Sequence, residues 1–119
     1  MADQPRTMFH YSTAEGYAGI TSSERLLPSL KAVNPKDARH GDGQYLTDIV
    51  PGTMTLGEMS YAFLKTPRGW RRFTHYIEID VIDLIVVEGR SNVFVICNSA
   101  YLPLAGRIVG GGLVPRLTV

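Results

Sequence analysis

Two carboxylates on one predicted strand have a spacing that could support chemistry. Glu78 and Asp80 lie two positions apart in segment 73–81, in which apolar and polar residues alternate. Side chains two positions apart on a strand point to the same side. Paired carboxylates can raise one another's pKa or stabilise a developing cation. The same pattern is also typical of a solvated sheet face.

One histidine and two tyrosines are further candidates. His10 ends the first predicted strand, Tyr45 lies in a strand entered through the Gly-Asp-Gly of residues 41–43, and Tyr61 lies off the apolar stripe of a predicted helix. The glycines before Tyr45 allow the backbone to approach a ligand closely. A single His or Tyr on a half-buried element is also typical of a core or its rim, so none of the three identifies a site alone.

Other patterns in the sequence bear on nucleic-acid binding, metal binding and phosphate-binding loops. Segment 68–72, Arg-Gly-Trp-Arg-Arg, could contact a phosphate backbone or stack on a base, or could be an ordinary solvated loop. The three histidines lack metal-ligand spacing and the chain has one cysteine, so no metal site is expected. The glycines at 41–43 and 110–112 do not precede helices, which excludes a P-loop or a Rossmann phosphate loop.

The elements that would position these residues are short. A strand is expected over 8–11, and Ser12 with Glu15 predicts a capping box for a helix over 13–22. Prolines then interrupt regular structure and predict a long irregular loop. A strand over 44–47 follows.

The second half of the chain is expected to be rich in strands. Thr55 and Glu58 predict a second capping box, for a helix to about Leu64, followed by a basic loop. The clearest strand is 73–81. Further short strands are expected at 84–87, 93–97, 107–109 (ended by the glycines at 110–112) and, along an edge, 113–119. Two helices among many short strands predict an α+β fold.

Composition limits the remaining possibilities. The 119 residues, 45% hydrophobic, predict one domain over 1–119, and a net charge of +1 gives no general field for nucleic acid or an anionic membrane. Cys97 lies in the apolar run 93–97 and is predicted to be a buried, reduced thiol. No signal-peptide pattern and no run of the ~18 apolar residues needed to span a bilayer is present, so we expect a soluble protein, cytoplasmic or exported without a classical signal.

Taken in order, these motifs resemble the ADP-ribosyltransferase superfamily, in the His-Tyr-Glu branch that includes the poly(ADP-ribose) polymerase catalytic domain and diphtheria toxin. The resemblance covers residues 8 to about 110 and is closest to the small His-Tyr-Asp toxin-type domains. It implies two packed, mostly antiparallel sheets with short flanking helices. The motifs are Phe-His-Tyr-Ser at 9–12, Gly-Tyr-Ala-Gly-Ile at 16–20, Gly-Asp-Gly-Gln-Tyr-Leu-Thr-Asp at 41–48, Thr-His-Tyr-Ile-Glu-Ile-Asp at 74–80 and Leu-Ala-Gly-Arg-Ile at 104–108.

The resemblance also implies that the substrate is NAD, cleaved between nicotinamide and ribose through an oxocarbenium-like transition state, with His10, Tyr45 and Asp80 as catalytic residues. Stacking on a flat nicotinamide ring adds roughly 0.5–1.5 kcal/mol beyond burial. The residues expected to bind NAD are His10 (a ribose hydroxyl), Tyr11 (the carboxamide, through its backbone), Tyr45 and Tyr61 (stacking), Thr47 or Ser60 (a hydroxyl) and Arg39 (the pyrophosphate).

The third catalytic position has two interpretations. If strand 93–97 corresponds to the strand that begins with the family's Glu, the position falls near Asn92 or Val93, where no carboxylate stands, with Glu88 as a neighbouring carboxylate. If the family's Asp is Asp80, that residue fills the role, and we favour this assignment. Loss of the carboxylate would permit single transfer or hydrolysis but not chain elongation.

The expected function is therefore NAD-dependent mono-ADP-ribosylation of a protein or nucleic-acid acceptor by a toxin or effector. Two alternatives are an NAD glycohydrolase of the same fold and a non-catalytic module that binds NAD or ADP-ribose. The acceptor and the oligomeric state are left open by the sequence.

Overall fold

The computed structural model describes residues 6–116, which form an α+β fold. In chain order, the elements are β1 (Thr7–Ser12), α1 (Ala14–Ser23), β2 (Arg25–Leu26), β3 (Gly43–Leu46), α2 (Leu56–Leu64), a 3₁₀ helix (Pro67–Phe73), β4 (His75–Asp80), β5 (Val87–Arg90), β6 (Val93–Cys97), β7 (Leu102–Pro103) and β8 (Ile108–Leu113).

The longer strands form two antiparallel sheets, with orders β1-β4-β8 and β3-β6-β5, while β2 pairs with β7. The two sheets meet where β1 approaches the end of β3. There Phe9 and Thr47 exchange both of their backbone hydrogen bonds, each 2.9 Å long. This isolated β-bridge is where the edge of one sheet pairs with the edge of the other.

Strand alternation on β1 divides the core into two clusters. Met8 points into a cluster built from both sheets, whereas Phe9 and Tyr11 point into a second cluster with Met59 of α2 and Phe73 of the 3₁₀ helix. The edge of β1 that faces β3 is therefore held from both faces. The buried members of the first cluster are Met8, Leu26, Leu46, Ile77, Ile79, Val81, Ile96, Leu102 and Leu104.

Both predicted helices are confirmed, but only one of the two capping boxes is. At α2, the Thr55 hydroxyl accepts from the Glu58 N–H (3.1 Å) and the Glu58 carboxylate accepts from the Thr55 N–H (2.9 Å). At α1, the cap is Thr13 rather than Ser12, because Ser12 still belongs to β1 and lies opposite β4. No helix within residues 6–116 is long and apolar enough to cross a membrane.

Several predicted strand boundaries are wrong. The strand expected over 73–81 spans only His75–Asp80, because Phe73 ends the 3₁₀ helix that stands in place of the predicted basic loop. The strand expected over 84–87 is instead shifted along the chain and spans Val87–Arg90. Of segment 113–119, Leu113 ends β8, residues 114–116 form no strand and residues 117–119 lie outside the described residues.

The prediction that glycines end the strand at 107–109 is also wrong, since β8 continues through residues 110–112. A Cβ at Gly111 would lie 2.9 Å from the Tyr76 carbonyl oxygen and 3.1 Å from the Tyr17 ring. Gly111 therefore permits close packing of β8 against β4 rather than a turn.

Cys97 was expected to be buried and is exposed. It is the last residue of β6 and lies opposite Gly43, beyond Ile96, which packs into the first cluster. The apolar run therefore extends one residue past the core.

Candidate active site

A cleft of about 730 Å³ opens beside the isolated β-bridge that joins β1 to β3. His10 and Tyr11 line it from β1, and Tyr45 lines it from β3. The irregular loop before β3, the end of α2, the 3₁₀ helix and the β5–β6 turn complete the walls. The volume lies within the range of small-molecule and cofactor sites.

His10 is fixed by the neighbouring strand. Its Nδ1 lies 3.1 Å from the Tyr45 carbonyl oxygen, which can only accept, so the ring carries its proton on Nδ1 and leaves Nε2 as an acceptor. Burial lowers the pKa of His10, and the hydrogen bond to Tyr45 opposes this effect without overcoming it. The ring is therefore neutral at pH 7.

Tyr11 contributes its backbone and its side chain to different tasks. Backbone groups alternate along a strand, so the N–H and C=O of Tyr11 turn to the same side as those of Phe9, toward β3 and the cleft. The Tyr11 hydroxyl donates to the Ile49 carbonyl (2.7 Å), and burial raises its pKa. The buried ring thus holds the segment that follows β3.

The hydroxyl of Tyr45 is engaged within the chain. It donates to the Gly41 carbonyl (2.7 Å) and accepts from the His40 N–H (2.8 Å), and burial raises its pKa. Gly41 has φ of 101°, a conformation that favours glycine. Tyr45 therefore fixes the turn before β3, and it also lines the cleft.

Thr47 and Arg39 also line the cleft, as expected from their positions in the sequence. Thr47 is buried, and its hydroxyl accepts from the Ile49 N–H (3.1 Å). Arg39 is exposed on the irregular loop before β3. The structure thus brings five of the expected residues together: His10, Tyr11, Arg39, Tyr45 and Thr47.

The structure does not bring Asp80 into this cleft. Asp80 pairs with Thr7, three residues along β1 from His10, which corresponds to ~10 Å of strand. Its carboxylate contacts Arg6 (3.4 Å) and accepts from the Ile82 N–H (3.0 Å). The alternating pattern showed which face of β4 carries Asp80 but not which end of the sheet borders the cleft.

Ser60 and Tyr61 also lie away from the cleft. Ser60 is fully buried and joins α2 to the 3₁₀ helix, since its hydroxyl donates to the Thr66 carbonyl and accepts from the Gly69 N–H (3.0 Å). Tyr61 is 60% exposed and borders a separate shallow depression. The expected pair of stacking tyrosines is therefore not formed.

The start of β6 presents no carboxylate to the cleft. Val93 lines it, and the Asn92 amide donates to the Asp48 carboxylate (2.9 Å) just beyond the end of β3. Glu88 is exposed on β5. An Asp–Asn pair therefore occupies the edge where β3 ends and β6 begins.

The sequence analysis missed several cleft residues, among them Phe63 and Arg90. Phe63 and Arg90 both line the cleft, and the Arg90 guanidinium donates to the Phe63 carbonyl (3.1 Å) in the last turn of α2. Phe63 belongs to the apolar stripe of α2, and a stripe does not reveal which member borders a cavity. Arg90 lies between the strands predicted at 84–87 and 93–97, and no sequence signal marked it.

The charge of the cleft is strongly uneven. Among the described residues that line it, Asp37 is the one carboxylate, set against Lys36, Arg39, Arg72 and Arg90. Such a surplus of cations favours a ligand that carries phosphate. Within residues 6–116, no three His, Cys, Asp or Glu side chains are grouped so as to hold a metal ion.

Comparison with known proteins connects this geometry to a family. No curated protein and no solved structure matches the chain. Residues 8–108, which include all the strands around the cleft, match a family model described as HYD1 signature containing ADP-ribosyltransferase. The match confirms the resemblance and the fold class expected from the sequence. The chain belongs to this toxin-type ADP-ribosyltransferase family.

Proposed function

We propose that the chain is an NAD-dependent mono-ADP-ribosyltransferase that modifies a protein or nucleic-acid acceptor as a toxin or effector. One observation carries the proposal: the cleft between β1 and β3 is lined by His10, whose Nδ1 donates to the Tyr45 carbonyl, and by Tyr45 itself. ADP-ribosyltransferases use NAD as their substrate, and the cations around this cleft suit its pyrophosphate.

The nicotinamide, its ribose and the pyrophosphate of NAD each have a complementary group. The free Nε2 of His10 accepts from a ribose hydroxyl, and the Tyr11 backbone offers the donor and acceptor that a carboxamide pairs with. The Tyr45 ring stacks on nicotinamide. Arg39 and Lys36 bind the pyrophosphate from the irregular loop.

In the reaction, the bond between ribose C1′ and the nicotinamide nitrogen breaks, and its electron pair leaves with nicotinamide. The acceptor nucleophile then bonds to C1′ and releases a proton. A carboxylate near the positive charge that develops on the ribose stabilises the transition state. We assign this role to Asp48, an exposed residue that Asn92 holds at the margin of the cleft, next to the lining residues Thr47 and Val93.

Hydrolysis uses the same groups with water as the acceptor. A second candidate function, a non-catalytic NAD- or ADP-ribose-binding module, is favoured by the start of β6. There Arg90 lies opposite Val93, and a guanidinium opposes rather than stabilises a developing cation.

The experiment measures nicotinamide release from NAD, with and without cell extract as the source of acceptor. The variants are His10→Ala, Tyr45→Ala, Asp48→Asn and Asp80→Asn, each checked for folding by circular dichroism. We expect release to be lost in the first two, to fall about tenfold or more in Asp48→Asn, and to persist in Asp80→Asn, which is the matched control.

Other results would redirect the proposal. If nicotinamide release is lost in Asp80→Asn and retained in Asp48→Asn, the carboxylate that stabilises the ribose cation is Asp80. Release without labelling of any acceptor would identify a glycohydrolase. Ligand-dependent stabilisation of RT ln(1 + [L]/Kd) by NAD without release would identify a binding module.

A further inference from the structure

We infer that Asp37 competes with the phosphates of the substrate for Arg72, so that an anionic ligand enters the cleft by displacing this ion pair. The inference rests on the proposed NAD site. It assigns Arg72 as a phosphate-binding residue and Asp37 as the internal anion that it exchanges.

The ion pair joins two separate elements that line the cleft. Asp37 lies on the irregular loop before β3, and Arg72 lies on the 3₁₀ helix. Arg72 Nη2 and Asp37 Oδ1 are 3.4 Å apart. Among the ion pairs of the described residues, this is the one whose two members both line the cleft.

The pair is loosely formed. One nitrogen contacts one oxygen at 3.4 Å, and the two side chains are 52% and 34% exposed. By contrast, Arg107 holds both oxygens of Asp83, at 2.6 and 3.0 Å, outside the cleft. A single exposed contact contributes little to stability and is readily displaced.

Asp37 stays in place without Arg72, whereas Arg72 is free to exchange its partner. The Asn34 amide donates to the other Asp37 oxygen (2.8 Å), and the Asp37 N–H donates to the Asn34 carbonyl (3.2 Å). A phosphate offers the Arg72 guanidinium a bidentate partner, which is stronger than the single contact to Asp37. The exchange of Asp37 for a phosphate therefore favours binding of an anionic ligand to the cleft.

The test measures ADP-ribose binding by calorimetry, with nicotinamide as the probe that lacks phosphate. The variants are Asp37→Asn, Arg72→Ala, Arg72→Lys and the double variant Asp37→Asn with Arg72→Ala. Asn at position 37 keeps an acceptor for Asn34. Asp83→Asn is the matched control, because it changes the net charge equally and disrupts an Arg–Asp pair outside the cleft.

We expect Asp37→Asn to lower the Kd of ADP-ribose about two- to fivefold and Asp83→Asn to leave it unchanged. Arg72→Ala raises the Kd about tenfold or more, Arg72→Lys raises it less, and Asp37→Asn has no further effect once Arg72 is gone. Nicotinamide binding does not change in any of these variants.

Three results would overturn the inference. Asp37→Asn could lower the Kd of ADP-ribose even when Arg72 is absent, or Asp37→Asn and Asp83→Asn could lower it equally. Asp37→Asn could also raise that Kd. Nicotinamide release from NAD by the same proteins separates the two proposals. If the Kd values of ADP-ribose change as expected but no nicotinamide is released, the result counts against the proposed enzyme alone. Normal release without that pattern counts against the Arg72 exchange alone.

Discussion

At the scale of single residues, Tyr45 separates two roles within one side chain. Its hydroxyl holds the turn at His40 and Gly41, and the residue also lines the cleft, where we propose that its ring stacks on nicotinamide. Tyr45→Phe should therefore lower the free energy of unfolding by about 1 kcal/mol while keeping most NAD binding. Tyr45→Ala should abolish binding. Thermal unfolding and NAD titration of both variants test this, and equal loss of binding in the two would contradict a stacking role.

His10 gives a prediction about pH. Because burial lowers its pKa, the unfolded chain binds more protons than the folded protein at pH values below about 6.5. Its contribution to stability is fully present above that pH and is lost as pH falls, by at most about 1.4 kcal/mol per pH unit. His10→Asn keeps an N–H donor but cannot titrate, so its unfolding free energy should fall less between pH 7 and pH 5. Identical urea-denaturation profiles for the two proteins would count against a buried neutral His10.

The resemblance to the family pointed to cleft residues of β1 and the neighbourhood of β3, because their motifs match it in order. It implied roles for His10, Tyr11, Tyr45 and Thr47, all of which line the cleft. Asp80 does not line it, because its position depends on the pairing of β4 with the far end of β1, which periodicity within one strand does not encode.

At the scale of elements, glycine has opposite roles in β3 and α1. A Cβ on Gly43 would overlap the Ile96 carbonyl oxygen and lie 2.7 Å from Val95 Cγ2, whereas a Cβ on Gly19 meets nothing within 4 Å. Gly43→Ala should cost at least about 2 kcal/mol of stability and displace β3. Gly19→Ala should add about 0.5–1 kcal/mol, since alanine favours helix. Melting temperatures that shift in the same direction would contradict this contrast.

Local sequence signals predicted which helices and strands form better than they predicted where each one begins and ends. The capping box at Thr55 was readable because both bonds form within four residues. The extension of β8 through its glycines was not, since it depends on the Tyr76 backbone and the Tyr17 ring coming from elsewhere in the chain. Tertiary contacts override the local preference of glycine for turns.

At the scale of the whole molecule, charged side chains are distributed unevenly although the net charge is only +1. Among the described residues, four cations and one carboxylate line the cleft, while the acidic Glu78, Asp80 and Asp83 lie elsewhere. The net charge describes the chain as a whole and did not indicate this local surplus of cations. The cleft combines cationic walls with an aromatic surface, which suits a ligand with both phosphates and a flat ring.

This distribution predicts that salt weakens ligand binding without weakening the fold. Raising NaCl from about 50 mM to about 500 mM shortens the range of electrostatic interactions several-fold, so the Kd of ADP-ribose should rise. Nicotinamide, which carries no phosphate, should bind equally well at both concentrations. Unfolding free energy should change little, because the exposed ion pairs of the described residues contribute little to it. A Kd for ADP-ribose that is independent of salt would mean that the cleft cations do not contact the phosphates, and would transfer recognition to the Tyr45 ring and the strand backbone.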